Sequence, residues 1–150
     1  GPFLLVTQNV DNLHERAGSR SVLHMHGELL KVRCARTALV YDREEAVVED
    51  SRCLCCKVSG TLRPHIVWFG EMPFEMDRIY ERLEACSVFI AIGTSGQVYP
   101  AAGFVGHVPE SAWKIEVNAE ETAISDGFND RRIGPAGTVV PALVRELLKE

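Results

Sequence analysis

Apolar residues fall in short runs, and each run stops on small or polar side chains. Phe3–Val6 leads straight into Thr7, Gln8, Asn9, Val10 and Asp11. Val88–Ile92 is continuous and apolar, and it ends at Gly93, Thr94 and Ser95. Trp113–Val117 ends at Asn118, followed by Ala119 and Glu120. An unbroken apolar run such as 88–92 predicts a buried parallel strand rather than an alternating antiparallel one. Strands are therefore expected over 3–7, 88–92 and 113–117, with 88–92 as a central strand covered on both faces. Further short strands are expected over 22–26 and 66–69. Met76, Ile79, Tyr80 and Leu83 recur at spacings of three and four, the stripe of an amphipathic helix, with Glu75, Asp77, Arg78, Glu81 and Arg82 on its polar face. A short helix is expected over 9–17, stopped by Gly18. A closing helix is expected over 140–148, with Pro141 in its first turn. The strand–turn–helix–strand rhythm predicts an α/β fold with a Rossmann-like, doubly wound parallel sheet.

Between residues 29 and 65 the pattern changes. This stretch holds four of the five cysteines and shows no helical period. It reads as a small inserted module, so residues 1–28 and 66–150 are assigned to the Rossmann-like domain and 29–65 to a zinc-binding type of module. Two residues separate Cys34 from Thr37, and two separate Cys53 from Cys56. That is the frame of a four-cysteine zinc ribbon with Thr37 in the second ligand position. Cys34, Cys53 and Cys56 are the candidate ligands and Cys55 is a spare thiol. The competing reading is a decayed site whose thiols are inert or redox-sensitive.

Composition narrows the classes. A length of 150 residues suffices for one domain with a core, or one domain and a small insert. The net charge of −5 argues against a nucleic-acid surface. No apolar run approaches the roughly 20 residues of a membrane span, and no charged-then-apolar leader is present. A cytoplasmic protein without disulfides is expected, with neither nucleic acid nor membrane as partner. The chain has no initiator Met and opens on a strand, which suggests a fragment trimmed at its N-terminus.

Ligands of open α/β sheets bind at the carboxyl ends of the strands. Gln8, Asn9, Val10 and Asp11, then Gly93, Thr94 and Ser95, then Asn118, Ala119 and Glu120 occupy three such ends. Any one of these could be an ordinary turn, since turns use the same residues. Together they read as half of a dinucleotide site, with Thr94 and Ser95 toward phosphate and Asn118 and Glu120 toward a ribose. The glycine-rich pyrophosphate fingerprint is missing, so NAD does not follow from these features alone. His24 and His26 alternate and can share a face. Gly27 leaves room beside His26, whose imidazole could act as a base near neutral pH. His14, His65 and His107 read as structural.

Taken in order, Thr7–His14, His26-Gly27, the cysteine frame, Val67-Trp68-Phe69-Gly70-Glu71, Gly93-Thr94-Ser95, Asn118 and Gly134-Pro135-Ala136 resemble the sirtuins, most closely the bacterial CobB-type NAD-dependent protein deacylases. The resemblance spans essentially the whole chain. It implies that His26 is the catalytic base acting on a hydroxyl of the nicotinamide ribose. It implies that Gln8, Asn9, Val10 and Asp11 line the nicotinamide-ribose pocket, and that Gly93, Thr94, Ser95, Asn118, Ala119, Glu120 and Ala136 contact the rest of NAD. Val67, Trp68, Phe69, Gly70, Glu71 and Val98 would flank an acyl-lysine peptide bound by strand addition. Cys34, Cys53 and Cys56 would hold a structural zinc, with Thr37 departing from the pattern. The family's N-terminal glycine-rich loop does not appear, and neither do the residues that read the acyl group. The implied activity is transfer of an acyl group, acetyl or succinyl, from lysine to ADP-ribose with release of nicotinamide. This fragment is expected to be inactive or very weak alone. The alternatives are a non-catalytic NAD- or ADP-ribose-binding remnant and a zinc-ribbon interaction fragment.

Overall fold

The computed structural model describes residues 3–148. The chain divides into two compact units, Gly1–Met76 and Asp77–Glu150. The first unit holds β1 (Leu5–Thr7), α1 (Leu13–Arg16), β2 (Val22–His24), β3 (Gly27–Cys34), β4 (Val40–Asp42) and β5 (Leu62–Ile66). The second holds α2 (Met76–Ala85, whose first residue closes the first unit), β6 (Val88–Ile92), β7 (Trp113–Asn118), β8 (Asp130–Ile133) and α3 (Ala136–Leu147). No described helix is long and apolar enough to cross a membrane.

In the first unit β1 and β2 pair in parallel, Thr7 opposite His24. A separate antiparallel sheet has the order β4-β3-β5. Leu23, Met25 and Val32 are buried there, Met25 completely. The strands differ from expectation at three places. β2 stops at His24, and His26 lies in the turn that leads into β3 rather than on a strand beside His24. β5 covers Leu62–Ile66 and ends where a strand over 66–69 was expected, because Val67 turns its N–H to the His26 carbonyl (2.9 Å) and the next residues enter a turn. α1 is a single turn over Leu13–Arg16, since residues 9–12 are held in bends by side-chain contacts to their own backbone.

The second unit carries a parallel sheet of order β6-β7-β8. Ile115, Glu116 and Val117 are all buried, so β7 is the strand covered on both faces. β6 is an edge strand among the described residues, with Val88 and Ile92 exposed, which corrects the expectation that it is central. An apolar run alone does not distinguish an edge from a centre. Leu143 of α3 packs on Ile115 and Val117, with Ile90, Val139 and Leu147 around them. α3 starts at Ala136 behind Pro135, four residues before the expected start, so Pro141 lies inside the helix and not in its first turn.

The close approach of β3 and β5 constrains the turn beside His26. Gly27 has φ +84°, and a Cβ there would lie 2.0 Å from the His65 carbonyl oxygen. Neither the dihedral nor the space admits a side chain. Gly27→Ala is expected to destabilise the protein by at least about 2 kcal/mol, from positive-φ strain plus displacement of β5. Urea denaturation of the variant and the parent checks this, and an unchanged midpoint would show that the contact is not held.

Candidate functional site

In the first unit the site is built on main-chain pins around the end of β1. The Met25 N–H donates to the Thr7 carbonyl (3.1 Å) and the Leu29 N–H to the Val10 carbonyl (2.8 Å). Buried Thr7 accepts from the Asn9 N–H through Oγ1 (3.1 Å). Asp11 accepts the Leu13 N–H at 3.0 Å, so its carboxylate shapes the entry to α1. His26 Nδ1 lies 3.1 Å from the Gln8 carbonyl oxygen. A carbonyl only accepts, so Nδ1 carries a proton, and the tautomer this selects has its lone pair at Nε2. His24 differs. Its Nδ1 faces the Asn9 carbonyl (3.2 Å) and its Nε2 the Glu15 carboxylate (2.9 Å). Both ring nitrogens are occupied, so His24 braces the segment while His26 keeps one nitrogen open.

Residues 67–71 form an exposed turn held by a clasp. Arg63 reaches both Glu71 carboxylate oxygens, at 2.6 and 2.9 Å, and the Ile66 carbonyl at 3.1 Å. Its guanidinium lies 3.9 Å from the centre of the Trp68 ring. The Trp68 N–H donates to the same carboxylate (3.0 Å), and Gly70 takes φ +89° within the turn. Phe69 is left fully exposed. The Arg63 hydrogen bonds, then the Trp68 N–H, hold the Glu71 carboxyl down from 4.5 to about 2.

The cysteine cluster joins the end of β3 to the loop before β5. Cys34 closes β3, and Cys53, Cys55 and Cys56 lie on that loop. All four sulfurs lie within 4.8 Å of one another, with Cys34 to Cys56 at 3.8 Å and Cys53 to Cys55 at 3.0 Å. Tetrahedral zinc with bonds of about 2.3 Å needs sulfurs about 3.8 Å apart; four thiols are the donors that ion takes, and Cys34 and Cys56 stand at that spacing while Cys53 and Cys55 are closer. The Thr37 hydroxyl also reaches this group, with its Oγ1 3.1 Å from the Cys55 sulfur. Cys34 and Cys53 are buried. Burial raises the Cys53 thiol, but the Cys56 and Cys55 N–H groups and the neighbouring thiols outweigh it and bring it to about 5.

In the second unit Gly93 follows β6 with φ +64°, and a Cβ there would meet nothing within 4 Å. Its N–H is tied to the Val117 carbonyl (2.9 Å), which holds the open backbone of Gly93, Thr94 and Ser95 beside the end of β7. Asn118 ends β7, and Ala119 and Glu120 follow exposed. Ala136 is the first residue of α3, where backbone N–H groups lack helical partners. Val98 is exposed on the loop after Gly96. The sequence reading missed Glu116, Thr122, Ser125 and Arg63. A carboxylate between the apolar Ile115 and Val117 was the available signal for the first three.

An α/β protein with a parallel sheet, polar strand ends and a four-thiol module is the class these features define. A sequence profile of the Sir2 family matches residues 2–100, and the chain belongs to that family. It is 54% identical over 148 residues to an NAD-dependent protein deacylase of Escherichia coli K12, covering 98% of this chain and 53% of the relative. The crystal structure of a Sir2 homologue in complex with NAD aligns at a TM-score of 0.85 and 39% identity, covering 98% of this chain and 59% of that one. The structure of Sir2Af2 bound to a myristoylated histone peptide aligns at 0.80 and 37%, covering 97% and 65%. The fold is the Rossmann-like fold of these Sir2 structures. The chain spans about half the length of the curated relatives it matches.

The clasp predicts a pH signature. A carboxyl held at about 2 in the fold adds stability that is complete above its unfolded value near 4.5 and lost as pH falls from there toward 2. Urea denaturation across that window should show the parent losing stability more steeply than Glu71→Gln. Parallel slopes would mean that Glu71 is not clasped.

Proposed function

We propose that this chain is the part of an NAD-dependent protein-lysine deacylase that carries the catalytic base. The observation behind this reading is the His26 ring, held through Nδ1 by the Gln8 carbonyl with Nε2 left without a protein partner among the described residues. His26 Nε2 would take a proton from a ribose hydroxyl of NAD, beside a wall made by Gln8, Asn9, Val10 and Asp11. Gly93, Thr94, Ser95, Asn118, Ala119, Glu120 and Ala136 would hold the remainder of the dinucleotide. The open space at Gly93 supports that fit, since backbone can approach a phosphate closely where no Cβ intervenes. When bound, NAD supplies the ribose carbon that the acyl oxygen attacks as nicotinamide leaves, and the acyl group ends on ADP-ribose. Val67, Trp68, Phe69, Gly70 and Glu71, with Val98, would take an acyl-lysine peptide by main-chain pairing. The NAD-dependent deacylase relatives and the peptide-bound Sir2 neighbour support this reading.

The test is an NAD-dependent assay on an acetyl- or succinyl-lysine peptide. The chain is assayed alone and fused to the part of the Escherichia coli relative that it does not cover. The fusion is expected to turn over, and the chain alone to stay at background. His26→Ala in the fusion should cost roughly 100- to 10,000-fold, the usual worth of a general base. Near-normal turnover by that variant would refute the role of His26. ADP-ribose binding without turnover by the fusion would favour a non-catalytic binding protein.

For the metal, the ligands would be Cys34, Cys53, Cys55 and Cys56, with Cys55 in place of the residue at position 37. Zinc there would be structural, closing the 43–61 loop onto β3. Metal analysis should find one zinc per chain. Cys55→Ser should lower the zinc content, and Thr37→Val should retain it. The opposite pattern would assign the fourth position to Thr37.

A further inference from the structure

Glu116 has no place in the assignments above, yet it is the one fully buried carboxylate among the described residues. It sits on β7, two residues before Asn118 and on the same side of the strand. Its Oε1 accepts from Thr122 Oγ1 at 2.6 Å and from Asn118 Nδ2 at 3.2 Å, and its Oε2 accepts from Ser125 Oγ. Asn118 Nδ2 also donates to the Thr94 carbonyl at 2.8 Å. One buried group thus ties the end of β7, the loop after β6 and the 119–125 segment together. Burial pushes the Glu116 carboxyl up, but the Ser125, Thr122 and Asn118 hydrogen bonds, with Arg131 of β8, hold it below the ordinary 4.5.

The chemistry of the partners settles which way Asn118 points. An ionised carboxylate and a backbone carbonyl both only accept, so the atom facing them must be the amide NH2. Both of its protons are consumed internally. Asn118 therefore offers its carbonyl oxygen, an acceptor, at the carboxyl end of β7. We propose that Glu116 is a positioning residue of the nucleotide site, fixing Asn118 as an acceptor for a ribose hydroxyl or an adenine amine and holding the Thr94 loop beside it. This rests on the dinucleotide reading of the second unit. Without the carboxylate, as in Glu116→Gln, the neighbouring group can either donate or accept. Only the Thr94 carbonyl then holds the Asn118 NH2, so the amide is less firmly fixed as an acceptor toward the ligand.

Two measurements on the 150-residue chain separate this inference from the reading beneath it. The first needs no ligand. Side-chain amide NMR should give Asn118 NH2 protons that are protected from exchange. In the parent they should shift with pH in a single step whose midpoint lies below 4.5, because they report the carboxylate they touch. In Glu116→Gln that titration should vanish and protection should fall. An Asn118 amide that ignores pH in the parent overturns the inference, whether or not the variant folds. The second is calorimetric titration with ADP-ribose. If the parent binds, Glu116→Gln should bind about tenfold more weakly or worse, the worth of one hydrogen bond to a charged or oriented partner. Equal affinity overturns the inference and leaves the dinucleotide site standing. A parent that binds no ADP-ribose removes the nucleotide role for this chain, and the positioning proposal falls with it.

Discussion

The first unit depends on a backbone contact that no side chain could make. Gly27 lies against the His65 carbonyl with no room for a Cβ, and this lets β3 and β5 come together at the point where the chain leaves β2. Four main-chain hydrogen bonds radiate from the same corner. Met25 donates to Thr7 and accepts from Phe74, His26 accepts from Val67, and Leu29 donates to Val10. The end of β1, the entry to the 67–71 turn and the start of β3 are thereby indexed to one short turn. The His26 ring is aimed by this framework and not by packing, since the residue itself is only half-buried. Loosening the corner would move the imidazole and the turn together.

Charge is managed differently in the two units. Around the 67–71 turn an ion pair does the work, partly exposed, and its contribution lies more in fixing a loop than in global stability. In β7 a carboxylate is buried without a direct cation and is met by two hydroxyls and an amide. Neutral donors cost less to bury than a second ion, and they leave the carboxylate as a fixed negative centre around which a loop can be shaped. Arg132 shows the third pattern, an exposed fork to Asp130 and Glu146 that joins β8 to α3.

Much of this was legible in the chain. β6 and α2 were readable because an apolar run and a 3–4 stripe are direct consequences of burial. The strand ends were readable because turns use small and polar residues. What failed did so for identifiable reasons. The run at 66–69 is apolar because Trp68 stacks on Arg63 and Phe69 stands in solvent, not because it continues a strand. The place of β6 at an edge depends on pairing that its own composition does not encode. Residues 9–12 carry a helix-compatible pattern, but Thr7 and Asp11 offer their oxygens to the Asn9 and Leu13 N–H groups, and local capping won over propensity. The cysteine frame was visible, yet a strict spacing rule pointed to position 37. The spare thiol Cys55 lies within 4.8 Å of the other three sulfurs, a nearness that spacing along the chain does not encode.

A common device operates at both polar strand ends. Histidine and asparagine are ambiguous side chains, since each can present a donor or an acceptor from the same position. At the end of β1 a carbonyl from Gln8 removes the ambiguity of His26 and leaves a base exposed. At the end of β7 a carboxylate from Glu116 and a carbonyl from Thr94 remove that of Asn118 and leave an acceptor exposed. In each case the protein commits an acceptor behind the functional group, so that another acceptor stands in front. Each orientation is set by groups of the same unit, a carbonyl behind His26 and a carboxylate with a carbonyl behind Asn118.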